Sequence, residues 1–230
     1  MKLELLDTYN IRARLSASII LLAPIALTSF LCFDEITTFA TSSVFISLLL
    51  AFTNYLPILQ RHICKNRKYE NYASQLLRAD DTTLDTVSKK RYYNKLAQID
   101  ESFSLFATPN NSNEFSDCCD SAVMYLRNHT RDNRIVQEEL INYGFYKNLL
   151  SSKPIGITIC ILLSIVISLY SWFKFKQLTI IPIENYFSIA VNIVMLFFWI
   201  FGVTEEIFKN TARKYAKTLL SAIDTLIIHS

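Results

Sequence analysis

Three glycines and five prolines in 230 residues leave little material for Gly-rich phosphate loops, tight hairpins or low-complexity linkers, and they favour long helices. The chain holds no GxGxxG, no Walker-type GxxxxGK, no HExxH and no GxSxG, so the usual signatures of cofactor cradling and hydrolysis are missing and no catalysis is expected. His62, His129 and His229 stand alone in the sequence, which gives a membrane enzyme no catalytic group to build on. Cys32, Cys64, Cys118, Cys119 and Cys160 are odd in number and lack CxxC spacing, so reduced thiols are expected. A metal site would have to recruit Asp117, Cys118, Cys119 and His129, and adjacent cysteines do not easily share one tetrahedral ion. Neither a metal nor a cofactor is expected.

Charge is scarce too, at 19% against 51% hydrophobic residues, and the apolar excess is concentrated in four stretches near the two ends. Residues 15–33 and 36–59 carry no charge after Glu35 and none before Asp34, and each is long enough for the roughly 20 helical residues that cross a hydrocarbon core. The third stretch runs from Pro154 to Phe173, with the proline placed for a first helical turn, and the fourth spans about 179–203. The first run is too long for a signal-peptide core and a second follows at once, so it is expected to stay in the mature chain.

The reading is an all-α membrane protein with four transmembrane helices in two pairs. Its divisions are an N-terminal hairpin (1–59), a helical cytoplasmic domain (60–153), a second pair (154–203) and a cytoplasmic C-terminal helix (204–230). Of the Lys and Arg residues, 21 fall in the two tails and the central segment and two between the third and fourth spans. The positive-inside rule then places both termini and the centre in the cytoplasm.

The second span is expected to continue as one long helix toward Asp80, followed by a turn at Asp80, Asp81, Thr82 and Thr83. Two seams step alternately by four and three: Tyr92, Leu96, Ile99, Phe103 and Phe106, and then Phe208, Ala212, Tyr215, Leu219, Ala222 and Leu226 on a helix extending the fourth span. Such coiled-coil spacing serves either a contact between subunits or packing within one chain. A helical stretch from Phe115 to about Leu150, with a break near Asp132 and Asn133, follows a loop at 108–114. Arg127, Arg131 and Arg134 share a face if that stretch is continuous. With Lys89, Lys90 and Arg91 they are the candidates for holding an anion, since guanidinium pairs phosphate bidentately; the competing reading is a solvated, salt-bridged face.

Within the spans, Gly156, Cys160, Ser164 and Ser168 recur every four residues and suit close helix packing. Apart from Glu184 near the start of the fourth, no Asp, Glu, Lys, Arg or His lies in any span, which leaves few groups for a proton relay or coupled transporter but does not touch a gated pore built from several chains. Candidate pore or gate residues are Asn54 and Asn192 in the spans, and Glu205 and Glu206 as an acidic ring at an inner mouth. That glutamate pair equally suits the start of a helix, where acids complement the dipole.

Residues 131–157, RDNRIVQEELINYGFYKNLLSSKPIGI, carry a distinctive run: Glu138 or Glu139, Asn142 to Phe145, Lys147, Asn148, Leu149, Lys153 and Pro154 leading straight into a span. The run resembles that of small bacterial transmembrane effectors encoded beside nucleotidyltransferases in antiphage defence, of SLATT or Hailong type. The resemblance implies a homo-oligomer, such as a tetramer, that forms a channel or disrupts the membrane under control of a nucleotide or short oligonucleotide made by the neighbouring nucleotidyltransferase. The second pair of spans departs from the single-hairpin SLATT pattern. The alternative is a non-conducting membrane adaptor whose cytoplasmic helices dock a protein partner.

Overall fold

The computed structural model describes residues 8–32, 39–64, 71–175 and 181–226, and every regular element among them is helical. A short π-helical entry, Asn10–Leu15, leads into α1 (Ser16–Cys32); α2 is Phe39–Cys64, α3 Tyr72–Leu77 and α4 Thr86–Ile99. A 3-10 segment, Glu101–Ala107, precedes α5 (Asn113–His129), α6 (Arg134–Phe175) and α7 (Ile183–Phe197). A π-helical turn at Phe198–Gly202 ends α7, and α8 (Glu205–Ser221) passes into a 3-10 turn at Ala222–Thr225. Four of these helices are long and apolar enough to cross a bilayer, the make-up of a multi-pass membrane protein. The Asp34–Glu35 turn and residues 65–70 lie outside the described residues.

Local chemistry sets the boundaries. Asp85 caps α4 by accepting from Ser88 N at 2.7 Å, Ser112 caps α5 through Phe115 N at 3.1 Å, and Asn133 accepts from Ile135 N and Val136 N at the start of α6. The break expected near Asp132 therefore exists, between His129 and Arg134. Two expected helix boundaries differ. Pro154 does not open a helix; it sits inside α6, a single helix of 42 residues. Val203 is extended (φ −99°, ψ 90°) and Thr204 opens a fresh helix through Ile207 N, so α8 does not extend the fourth span.

The chain divides into two compact units, one of residues 1–65 and 144–208, the other of 66–143 and 209–230. The first unit buries polar side chains: Ser18, Thr28, Thr53, Asn148, Ser151, Ser152, Ser171, Asn185, Ser188 and Asn192 are all inside it. Its exposed side chains include Ile19, Leu48, Ile165, Val166, Phe187, Val194 and Phe201. Leu21, Leu56, Ile167 and Trp199 are buried there too, whereas the second unit buries mostly apolar side chains. Phe103, Phe106, Phe115, Leu96, Leu126, Leu219 and Ile223 form one buried cluster, with Phe106 edge-on to Phe115 at 5.3 Å and Tyr93 edge-on to Phe115 at 5.9 Å.

Both heptad-like seams end in that cluster. Tyr92, Leu96, Phe103 and Phe106 are buried in it with Ile99 packed alongside, and so are Tyr215, Leu219 and Ala222 with Leu226 alongside. Of the two uses such spacing allows, the structure shows packing within the chain. Helix α4 stops at Asp100, whose carboxylate caps the 3-10 segment at Ser102 N, so the first seam changes element midway.

Candidate functional site

Helix α2 carries the most conspicuous polar feature of the first unit. Thr53, Leu56 and Leu59 are buried on one side of it, with the Thr53 hydroxyl donating to Ser18 Oγ (3.1 Å) and Leu49 O (2.7 Å). At 100° per residue, Ser43, Ser47, Ala51, Asn54 and Ile58 fall diametrically opposite, and all five are exposed. Only 11% of the apolar window of this helix is buried inside the chain, less than in any of the other three. Ser47 returns its hydroxyl to Ser43 O (2.8 Å), while the Asn54 amide makes no hydrogen bond among the described residues. An amide left in hydrocarbon without a partner costs several kcal/mol, and of these five side chains only Asn54 carries such an amide.

Asn192, grouped with Asn54 on the sequence, is placed quite differently. It is fully buried on α7, donates to Thr28 Oγ1 of α1 (3.1 Å) and to Ser188 O (3.0 Å), and Ser188 Oγ donates to the same Thr28 oxygen (3.1 Å). Asn185 completes the row by donating to Ser171 Oγ of α6 at 2.8 Å. Asn192 therefore lies inside the chain, where its amide nitrogen bridges α7 to α1 as amides among packed spans do, while its Oδ1 is buried with no hydrogen-bond partner among the described residues. Of the small residues on α6, Gly156 and Cys160 are buried, whereas Ser168 is exposed and Ile167 and Ser171 face inward instead. A Cβ on Gly156 would overlap the Trp199 indole, and one on Gly144 would overlap the Tyr9 ring, so two of the three glycines serve close approach.

The rest of the 131–157 run is accounted for by similar contacts. Buried Asn148 donates to Ala13 O (2.9 Å) and accepts from Gln60 Nε2. Lys153 Nζ donates to Ile200 O (3.0 Å) and Val203 O (2.8 Å), satisfying carbonyls at the end of the fourth span where a cation is also favoured by the dipole. In the second unit Glu139 pairs with Lys214 (2.7 Å) and Tyr143 stacks on Tyr215 at 5.5 Å. These roles are packing and hydrogen bonding, and sequence reasoning attached none of them to these residues.

The six basic candidates do not converge. Lys89 is buried, its ammonium donating to Arg78 O and to Asp81 O (2.6 Å), and burial lowers its pKa; it closes the α3–α4 turn and does not face solvent with its neighbours. Arg127 hydrogen-bonds the buried Tyr215 hydroxyl, whose pKa is raised by burial against the pull of that guanidinium. The gap beside them, about 10 Å³, admits one water at most. Arg131 lies in the turn after α5 and donates to Asn128 Oδ1 (3.0 Å), and Arg134 is the first residue of α6, so the three arginines occupy three different elements and no common helix face.

Lys90 and Arg91 remain exposed on α4, and the structure adds a residue that sequence reasoning missed. Lys95, one turn beyond Arg91, joins both in an open depression of about 470 Å³ also lined by Thr86, Val87 and Asn94. Its i, i+4 spacing from Arg91 was visible in the sequence. Glu205 and Glu206 are exposed in the first turn of α8, the position that complements its dipole. Cys118 and Cys119 are buried, the Cys119 thiol pushed up to about 12 by burial and by the neighbouring Cys118. Among the described residues no three His, Cys, Asp or Glu side chains gather as a metal site would require. No protein-family model, curated protein or solved structure matches the chain, so function rests on this geometry.

Proposed function

We propose that the protein is a homo-oligomeric effector of the bacterial inner membrane that opens a pore, depolarising or permeabilising the membrane in antiphage defence. The observation that supports this reading is the outward stripe of α2. A single chain leaves Ser43, Ser47, Ala51 and Asn54 uncovered where lipid offers no hydrogen bonds, and several copies, four for example, would turn those stripes toward one another around a hydrated axis. Hydroxyls and amides lining such an axis conduct without a buried charge. The four apolar helices cross in two pairs, with 60–153 and 204–230 in the cytoplasm as the 21 basic residues on that side demand. Exposed Glu205 and Glu206, repeated about the axis, would ring the inner mouth and favour cations.

Control falls to a phosphate-bearing ligand, a nucleotide or short oligonucleotide supplied by a nucleotidyltransferase encoded nearby. Its binding shifts the population between closed and open arrangements. Purified protein in a planar bilayer, with and without oligonucleotide, tests the reading. Stepwise conductance that depends on ligand and disappears in Asn54→Leu is expected. Silence under every ligand condition ends the pore reading, and a monomeric mass in detergent would favour the non-conducting adaptor.

A further inference from the structure

We infer that the basic face of α4 formed by Lys90, Arg91 and Lys95 is a site for a phosphate group, and that the chain's own Asp224, paired with two of those cations, is a resident anion that the ligand must displace. Asp224 lies in the 3-10 turn that follows α8. One carboxylate oxygen meets Arg91 Nη2 at 2.9 Å, the other meets Lys95 Nζ at 3.4 Å, and that same ammonium donates to the Asp224 carbonyl at 2.9 Å. A terminal turn thus holds a single carboxylate against the two cations that line the depression most closely with it.

The charges there do not balance. Lys90, Arg91 and Lys95 bring three positive charges to the depression, and Asp224 returns one negative. Lys90 is exposed and has no partner among the described residues, so the excess is open to solvent. A carboxylate and a phosphodiester each offer two acceptor oxygens and one charge, so a diester can take the place of Asp224 on Arg91 and Lys95 while also reaching Lys90, and a terminal monoester adds a third oxygen and a second charge. The exchange is cheap for the fold. Both ion pairs are partly exposed, with side-chain exposures of 52% for Arg91, 32% for Lys95 and 33% for Asp224, and pairs so exposed are individually weak. The site is therefore held shut by a contact that a modest ligand can break, and its occupation frees the turn at the end of α8.

This inference rests on the reading of a phosphate-responsive effector, and its test is made independent of conductance. The same phosphate chemistry reaches the site from a soluble oligonucleotide or from a lipid headgroup. The wild-type chain is reconstituted in nanodiscs of phosphatidylcholine, and binding of a short fluorescein-labelled oligodeoxythymidylate is followed by anisotropy. Asp224→Asn is expected to tighten binding by about 1.5- to 5-fold, the range set by losing a competing exposed pair. Lys90→Ala, which touches nothing the fold needs, is expected to weaken it several-fold, and Arg91→Ala by about tenfold or more.

A parallel arm uses phosphatidylglycerol discs without oligonucleotide and reads protection of Lys90 and Lys95 from amine acylation. Protection that grows in Asp224→Asn, with no oligonucleotide binding, assigns the headgroup as the source. If Asp224→Asn and Lys90→Ala leave both readouts at the wild-type value, the site is overturned whatever the bilayer recordings show. Intact phosphate binding with a silent bilayer would instead remove the pore and keep the site.

Discussion

The two units differ in how many polar side chains they bury, although the first also buries Leu21, Leu56, Ile167 and Trp199. In one, Asn148, Asn185, Ser188 and Asn192 lie inside while isoleucines, valines and phenylalanines look out; in the other, Phe103, Phe106 and Phe115 lie inside while Lys90, Arg91 and Arg131 look out. The same chain obeys both patterns because burial follows the surrounding solvent. Hydrocarbon leaves apolar side chains nothing to gain by hiding, so helices associate through hydrogen bonds and close contact, whereas water drives aromatic rings together. Asn54 breaks the first pattern, being an amide on the outer face, and the proposed oligomer would cover it.

The comparison predicts unequal costs for removing interior groups. Phe106→Ala, emptying the aromatic cluster, is expected to destabilise the second unit by about 3–5 kcal/mol, read from urea unfolding of the protein in mild detergent. A loss below about 1 kcal/mol would show that the cluster is loosely packed and that the contrast is overstated. Next comes Gly156→Ala, where the new methyl meets the Trp199 ring; a loss of about 1–3 kcal/mol is expected in the first unit, visible as a lowered midpoint of thermal aggregation. Unchanged stability would mean that α6 and α7 do not approach as closely as described.

Asn192→Leu should cost less, roughly 0.6 to 1.7 kcal/mol, because hydrogen bonds between spans compete with alternatives in the unfolded membrane state. If it cost as much as Phe106→Ala, polar glue and aromatic packing would be equivalent and the contrast would fail. The smallest effect concerns acid. Hydrogen bonds from Ser88 and Ser102 hold the Asp85 and Asp100 carboxyls below the ordinary carboxylate value of 3.8. Their folded pKa is depressed, so the stability they add is present above that value and is lost as pH falls through the folded pKa. The double variant Asp85→Asn and Asp100→Asn should flatten the acid limb of a stability–pH curve below about pH 4 and lower the curve slightly at neutral pH, where the ionised carboxylates contribute, so that variant and parent converge in acid. A limb of wild-type steepness would assign the acid sensitivity elsewhere.

The four apolar segments and the helical class were legible because length and the absence of charge suffice to mark a span. The direction each side chain takes was not. Asn54 and Asn192 sit in equally apolar surroundings, so no amphipathic contrast tells the outward amide from the inward one. The seams at Tyr92 to Phe106 and Phe208 to Leu226 were visible as apolar stripes, but the spacing is the same for a partner chain and for a helix of the same chain. Lys89 could not be told from Lys90 without the carbonyls of Arg78 and Asp81 closing on it. Asp224 stands 129 residues from Lys95, beyond the reach of any local pattern. Pro154 misled because a proline that begins a helix and one tolerated inside a membrane helix look alike until the neighbouring backbone is seen.

The central claim, that copies of this chain meet along the outward stripe of α2, is tested most directly by oxidative cross-linking in native membranes. Ala51→Cys places a thiol on the stripe, and Val194→Cys places one on the exposed apolar face of α7 as the control. The account predicts a covalent dimer for Ala51→Cys that the parent chain and Val194→Cys do not form. A monomer at Ala51→Cys, or equal cross-linking at both positions, would contradict it.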